Sequence, residues 1–155
     1  GAIGADTLTV ERATVLGAVS VDTLALASDA LFLSPVTVKF AQRGCVRFCH
    51  VPSGSVTPPR FRCQPDLALA AALSPDENDG IARRVAPIFT SLRYGDPGYG
   101  QLDAACDEQI RRGAGDGGEP GAFQSLHNTQ REDNLRQSLD EYVRFGDEAG
   151  VFFVT

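Results

Sequence analysis

The sequence has no Met among its 155 residues. A chain without Met does not start at an initiator residue of its own, so we expect a processed form or a piece of a longer protein. Long apolar runs are missing too, and none approaches the roughly 20 residues that a membrane-spanning helix needs. These absences favour a fragment of a larger assembly over a membrane protein.

Clustered positive charge is also missing. The chain has 14 Lys and Arg against 20 Asp and Glu, for a net charge of -6. Nucleic acid binding depends on grouped Lys and Arg, and a polybasic membrane anchor depends on the same feature. We therefore predict neither nucleic acid nor membrane as a partner.

Motifs of common catalytic and cofactor sites do not occur. There is no GxSxG elbow, papain-like cysteine box or GxxxxGK phosphate loop. The segment DENDG at 76–80 lacks the spacing and the distal Glu of a calcium loop. We predict no catalytic, cofactor-binding or metal residue. Enzyme activity stays open, with a non-enzymatic role favoured.

Two similar stretches stand at the start of the chain, DTLTVERATVLGAVSV at 6–21 and DTLALASDALFLSPVTV at 22–38. Their alternation of apolar with polar residues is typical of strands. Aligning their Asp-Thr-Leu starts gives a 16-residue repeat with four apolar matches. The matches are Leu8 with Leu24, Val10 with Leu26, Val15 with Leu31, and Leu16 with Phe32. A short strand repeat predicts a β-solenoid, and ordinary hairpins in a β-sandwich are the alternative.

From this pattern we expect a mostly β fold with short helices and two regions. Residues 1–48 would form about two terminal rungs of a parallel β-helix, and residues 49–155 a C-terminal α/β cap. The cap would contain a proline-rich loop, an amphipathic helix at about 129–145 and a final strand in GVFFVT. Leu135, Leu139 and Tyr142 would place that helix across the last rung.

Four cysteines, Cys45, Cys49, Cys63 and Cys106, leave the redox state open. Buried free thiols are the favoured interpretation. A disulfide between Cys45 and Cys63 is the next, because it would fasten the proline-rich loop. A zinc site of Cys45, Cys49, His50 and Cys63 is the least favoured, since the spacing is looser than in zinc ribbons.

The segment SLRYGDPGYGQL at 91–102 supplies a possible binding surface. Arg93, Tyr94, Asp96 and Tyr99 belong to residue types found at interface centres. The alternative is that the two tyrosines pack a turn against the core while Arg93 pairs with Asp96.

Three stretches together resemble the C-terminal region of large uncharacterised bacterial proteins, chiefly from actinobacteria, cyanobacteria and proteobacteria. The stretches are GCVRFCHVPSGSVTPPRFRCQPDLAL, FTSLRYGDPGYGQL and GAFQSLHNTQREDNLRQSLDEYVRFGDEAGVFFVT. The resemblance implies a right-handed parallel β-helix encoded near phage-tail-like or contractile-injection loci. It also implies a small polar residue at Cys49, which makes Cys45, Cys63 and Cys106 the cysteines of interest. The compartment stays unknown, either a cytoplasmic particle or the extracellular space.

These observations predict a structural module at the C-terminus of a larger β-helical protein, which caps, assembles or attaches it. Its partner would be the upstream β-helix or another copy of the chain. A carbohydrate-active β-helix enzyme and a glycan- or protein-binding module are the alternatives.

Overall fold

The computed structural model describes residues 3–151 and shows a β-solenoid of about three turns. Its first two turns are built from two long strands, β1 (Ile3–Glu11) and β3 (Val19–Ser28), and two short ones, β2 (Thr14–Val15) and β4 (Leu31–Phe32). All pairing between these turns is parallel, β1 with β3 and β2 with β4. The predicted solenoid is confirmed, and its alternation of apolar residues is the reason the strands coil around one core.

The later turns use shorter strands, namely β5 (Val36–Val38), β6 (Cys45–Arg47) and β7 (Arg60–Phe61). The first half of β3 pairs with β5, and its second half pairs with β6. In the third turn, two short strands joined by a loop therefore lie where the turn before has one long strand. β6 then pairs with β7. Parallel pairing therefore continues beyond residue 48, into the segment that the sequence assigned to the cap.

Prolines do not stop the pairing in this segment, contrary to the expectation from the sequence. Proline lacks only the N–H donor and keeps its carbonyl acceptor. The carbonyl oxygen of Pro59 accepts the backbone N–H of Val46 at 3.1 Å. Pro59 therefore supplies an acceptor where the last turn needs one. The division of the chain into domains stays a prediction.

The repeat is not uniform, because one extra residue enters β3. Leu8 lies opposite Leu24, as predicted, but a register shift after Leu8 places Thr9 opposite Leu26. From there the spacing is one residue longer, so Val15 faces Phe32 and not Leu31. A bulge of this kind adds a residue to one strand without breaking the ladder.

The third turn passes closely over this bulge at Gly44. Its φ is +100°, and a Cβ there would lie 1.8 Å from the carbonyl oxygen of Leu24. Only glycine fits both the conformation and the space.

One corner of the solenoid is formed by the same backbone conformation in every turn. The register stacks four non-glycine residues with φ near +50° in a column. They are Arg12, Asp29, Phe48 and Arg62. Left-handed backbone is unfavourable for such residues, so the corner persists because the strands on both sides fix it.

The solenoid interior holds the main core. Its buried side chains are almost all Val, Leu, Ala or Phe, together with two cysteines. Leu24, Val36 and Val46 are completely inaccessible to solvent. Burial of each such side chain contributes about 1.5–3 kcal/mol, which makes this coil the main source of stability.

A second, smaller core lies on the outside of the coil, around Leu31. The C-terminal half packs there through Ala68, Val85, Cys106 and Ile110. Its helices are α1 (Asp66–Ala70), α2 (Asn78–Arg84), α3 (Glu108–Arg111) and α4 (Asn128–Tyr142), with 3-10 turns at Pro75–Glu77 and Gln124–Leu126. We call residues 66–151 the flank, since they contact the side of the solenoid.

α4 corresponds to the predicted amphipathic helix but ends three residues earlier, at Tyr142. It is joined to α3, where Arg111 and Glu132 form an ion pair at 2.5 Å. Leu135 is 47% exposed and Tyr142 is 87% exposed, which gives no support to the predicted contact with the last rung. The predicted final strand falls mostly on residues 152–155, outside the described residues.

Candidate functional site

The most distinctive chemical feature of the molecule is an arginine that lies across the end of the last turn. Arg60 stands opposite Val46, whose side chain is buried inside the coil. Alternation along a strand therefore directs Arg60 inward, over the core, where its side chain is only 19% exposed. A charged side chain at such a position requires hydrogen-bonding partners.

Arg60 has partners for all of its guanidinium nitrogens. Nε donates to the hydroxyl of Thr57 at 2.8 Å, and Nη2 donates to the carbonyl oxygen of Ser55 at 2.9 Å. Nη1 lies 3.2 and 3.1 Å from the two carboxylate oxygens of Asp66. Asp66 is the first residue of α1, so this ion pair ties the last turn to the start of the flank. The guanidinium is thereby held on the inward side of the last turn. We call this arrangement the Arg60 plug.

At the opposite end of the solenoid, the side chains of residues 5–11 form no comparable arrangement. Within the described residues, β1 is the edge strand of its sheet and pairs only with β3. It is nine residues long, whereas β7 at the other end has two. Leu8 of β1 is half-buried, while Leu24 directly beneath it is 0% exposed. The inward side chain of Leu8 is therefore less covered than that of Leu24.

A cavity of about 520 Å³ lies between the last turns and the flank. Its walls are mainly apolar, and its polar and charged lining residues are His50, Arg62, Gln64, Glu108, Gln109 and Arg112. Among the apolar and sulfur-bearing residues of the lining are Phe48, Cys49, Leu67 and Ile110. The volume lies within the range of small-molecule sites.

His50 is the buried polar group of this cavity. Its Nδ1 lies 2.9 Å from the carbonyl oxygen of Phe32. Burial lowers the pKa of His50, and the hydrogen bond to Phe32 opposes that effect only in part. The imidazole is therefore neutral at pH 7, with Nδ1 donating and Nε2 left as an acceptor. His50 is therefore better suited to accept a hydrogen bond at Nε2 than to give up a proton as an acid catalyst.

Cys49 and Cys63 are neighbours inside the coil. A bridge pairs His50 with Gln64, so the residues before them, Cys49 and Cys63, also lie opposite each other. A hydrogen bond to Cys63 and burial raise the pKa of Cys49, and the same bond lowers the pKa of Cys63. The family resemblance pointed to the other three cysteines, whereas the structure places Cys49 in the core beside Cys63.

The other two cysteines lie apart from this pair. Cys45 is opposite Pro59 in the register that pairs Val46 with Arg60. Cys106 belongs to the second core, and burial raises its pKa. All four cysteines are free thiols. The predicted Cys45–Cys63 disulfide stays a prediction, but the register makes Cys49 the nearer neighbour of Cys63. The described residues contain no cluster of three metal-binding side chains.

The predicted binding surface forms an exposed tip. Tyr94 is 88% exposed and stacks edge-on against Tyr99, with 5.6 Å between the ring centres. Asp96 accepts a hydrogen bond from the hydroxyl of Ser91 at 2.6 Å. No ion pair joins Arg93 to Asp96 within the part of the chain that the structure describes. The four residues do lie in one loop, and what they bind stays open.

Two carboxylates share a groove on the outer face of the first turns. The register places Asp6 beside Asp22, and both line a shallow groove of about 610 Å³. Lys39 stands on the next turn, 3.6 Å from Asp22. The aligned Asp-Thr-Leu starts of the two stretches imply this pair, although the sequence analysis did not single it out as a site.

No protein-family model, curated protein or solved structure matches the chain. In the described residues, no helix is both long enough and apolar enough to cross a membrane.

Proposed function

We propose that this chain is the terminating module of a longer β-solenoid, whose preceding turn stacks on β1. The observation that carries the proposal is the Arg60 plug, a charged side chain that is only 19% exposed at one end of the coil, whereas the described inward residues of β1 at the other end, Leu8 and Val10, are apolar. Sheet edges attract further strands, and an inward-pointing charge at an edge is one means of preventing this.

The closed end combines several such means. β7 is only two residues long, so it offers a short edge. Arg60 would have to lose its bonds to Asp66 and Thr57 before another turn could stack beneath it. Asp66 is 47% exposed, so solvent screens the ion pair, and losing it together with the hydrogen bonds to Thr57 and Ser55 costs about 2 kcal/mol. Growth of the coil in this direction is therefore opposed by the side chains themselves.

The open end has the properties of a strand acceptor. β1 is long and carries alternating side chains, with Leu8 and Val10 directed toward the core. An additional turn would cover Leu8 as β1 covers Leu24. We infer that the partner here is an upstream turn of the same parent protein, or β1 of a second copy. Membership of a phage-tail-like particle is a finer form of the proposal and depends on the family resemblance alone.

Sedimentation velocity over a range of concentrations tests the proposal. In the wild-type chain we expect self-association through β1. The variant Leu8→Arg puts an inward charge at the open end, as Arg60 does at the other, and should be monomeric. The variant Arg60→Met removes the plug and should form open-ended assemblies, because both ends then accept strands.

Arg60→Lys is the matched control, since it keeps the charge but loses the bidentate fork. It should associate no more than the wild type. The proposal is wrong if Arg60→Met associates to the same extent as the wild type while remaining folded by circular dichroism. It is equally wrong if Leu8→Arg leaves the association unchanged.

A second candidate function is polysaccharide cleavage at the Asp6–Asp22 groove. Neighbouring strands lie roughly 5 Å apart, which would allow two carboxylates on adjacent turns to approach the spacing of a retaining glycosidase pair. Incubation with a panel of acidic and neutral polysaccharides should release sugar with the wild type and none with Asp22→Asn. Absence of released sugar with the wild type removes this candidate.

A further inference from the structure

Small residues form an inward column beside the corner of the solenoid. Ala13, Ala30, Cys49 and Cys63 follow the four corner residues in successive turns. The backbone N–H of Ala30 points to Sγ of Cys49 at 3.4 Å, and Cys63 continues the column in the next turn. The last two members of a column of small apolar residues are therefore both thiols.

The backbone holds these two cysteines in register. The N–H of Gln64 donates to the carbonyl of Cys49 at 2.9 Å, and the N–H of Val51 donates to the carbonyl of Gln64 at 2.8 Å. Neighbouring strands lie about 4.8 Å apart. That spacing lies within the range of about 4.4–6.8 Å between Cα atoms that a disulfide spans. Both side chains point into the same interior.

Contacts around the sulfur atoms keep the pair together. Cys49 has two acceptors within reach, the carbonyl oxygen of Arg47 at 3.0 Å and the sulfur of Cys63. Cys63 lies 3.6 Å from the carbonyl oxygen of Val46. Both side chains are 2% exposed. No third thiol adjoins them, since Cys45 lies opposite Pro59 and Cys106 is in the second core.

A cavity reaches one member of this pair. Cys49 lies in the wall of the cavity beside His50. A molecule the size of hydrogen peroxide fits easily in about 520 Å³. A bulky disulfide such as oxidised glutathione would have to enter the core itself.

We propose that Cys49 and Cys63 are a redox pair, which a small peroxide converts to a disulfide that joins the last two turns. The thiolate of one cysteine attacks the peroxide O–O bond, and forms a sulfenic acid while hydroxide leaves. The second sulfur then attacks the sulfenic sulfur, an S–S bond forms and the hydroxyl group leaves. The two thiol protons end in the two water molecules, and the peroxide takes the two electrons.

The disulfide would stabilise the closed end of the coil. It closes the loop from residue 49 to residue 63, and this loop contains Arg60. For a loop of about 15 residues in a chain of this size, we expect the Tm to rise by about 5–10 °C. The inference does not depend on whether the chain terminates a longer solenoid.

Peptide mapping of the folded 155-residue chain tests the pairing. Trypsin cleaves after Arg43, Arg47, Arg62 and Arg93 among other sites, so each cysteine lies on a peptide of its own. After treatment with a small excess of peroxide and blocking of free thiols, we expect one cross-linked pair, Cys49 with Cys63. Dithiothreitol should release it and return the Tm to its starting value.

Cys49→Ala and Cys63→Ala should abolish both the cross-link and the Tm rise, whereas Cys45→Ala should keep them. Mapping of the wild type remains decisive even if a core variant does not fold. A cross-link between other cysteines overturns the proposal, as does sulfinic acid at Cys49 or Cys63 without a cross-link. Four unreacted thiols after peroxide treatment overturn it as well.

Discussion

The two ends of the solenoid differ in both backbone and chemistry. At one end, β1 presents nine residues with a free edge and an apolar inner row. At the other, β7 presents two residues, and the Arg60 plug lies on the inward side of the turn. Both strands belong to one sheet and follow the same coil, so the contrast arises from side chains and strand length alone. If the chain terminates a longer solenoid, as we propose, further turns would stack on β1 and not on β7.

Leucine occupies equivalent positions in the first two turns, so replacing each leucine compares directly how deeply the two positions are buried. Leu24 is fully covered by β1, whereas Leu8 has no turn above it. We expect Leu24→Ala to lower the free energy of unfolding by about 3 kcal/mol, and Leu8→Ala by about 1 kcal/mol. Urea denaturation measures both. Equal losses would mean that the open end is already covered, for example by a second copy.

The plug itself gives the next largest effect. Arg60→Met should lower the free energy of unfolding by about 2 kcal/mol, since charged hydrogen bonds to Asp66, Thr57 and Ser55 are lost. Asp66 is 47% exposed, so solvent screening weakens its share of the interaction. In a double-mutant cycle with Asp66→Asn we expect a coupling of about 1 kcal/mol. A coupling near zero would leave Arg60 acting through Thr57 and Ser55 alone.

A smaller effect of opposite sign is expected at the corner column, beside the open end. Arg12 is exposed and has a φ of +50°. Arg12→Gly should raise the free energy of unfolding by about 0.5–1 kcal/mol, since left-handed backbone is unfavourable for Arg. The neighbour Glu11 lies in β1, so Glu11→Gly should lower the free energy by a similar amount. Two substitutions with the same sign would show that the corner is not strained.

The smallest effect appears as a pH dependence at the closed end. The pKa of His50 is lowered in the folded chain by burial. The unfolded chain therefore binds the proton first as pH falls below its own pKa of about 6.5. The free energy of unfolding should decline from pH 7 toward pH 5.5, and His50→Gln should flatten that decline. An unchanged slope in His50→Gln would contradict this prediction.

Much of the coil was predictable because it depends on local alternation. The Asp-Thr-Leu pair placed Leu8 over Leu24 correctly. It failed beyond that point because one extra residue enters β3, where the third turn at Gly44, 20 residues further along, passes close to Leu24. The alternation of apolar residues contains no information about such a contact.

The candidate site was less predictable, for a different reason. Arg60 and Asp66 lie in a proline-rich segment with no strand pattern, and only the register with Val46 turns Arg60 inward. Cys49 likewise becomes a neighbour of Cys63 only when the turns are stacked. The helix α4 was readable from its spacing, but the partner of its apolar face was not. Pairing across turns is a long-range property, and single-residue patterns do not contain it.

The glycine-rich loop of the flank has a consequence for the order of folding. The N–H of Ala122 donates to the hydroxyl of Thr14 at 3.1 Å, across 108 residues of chain, and Gly115 donates to the carboxylate of Asp29. Neighbouring turns of the coil, in contrast, meet after short chain segments that close quickly. During synthesis the coil leaves the ribosome before residue 122 exists. We therefore expect the flank to pack last, on turns that have already formed. Removing the flank should speed unfolding more than it slows folding.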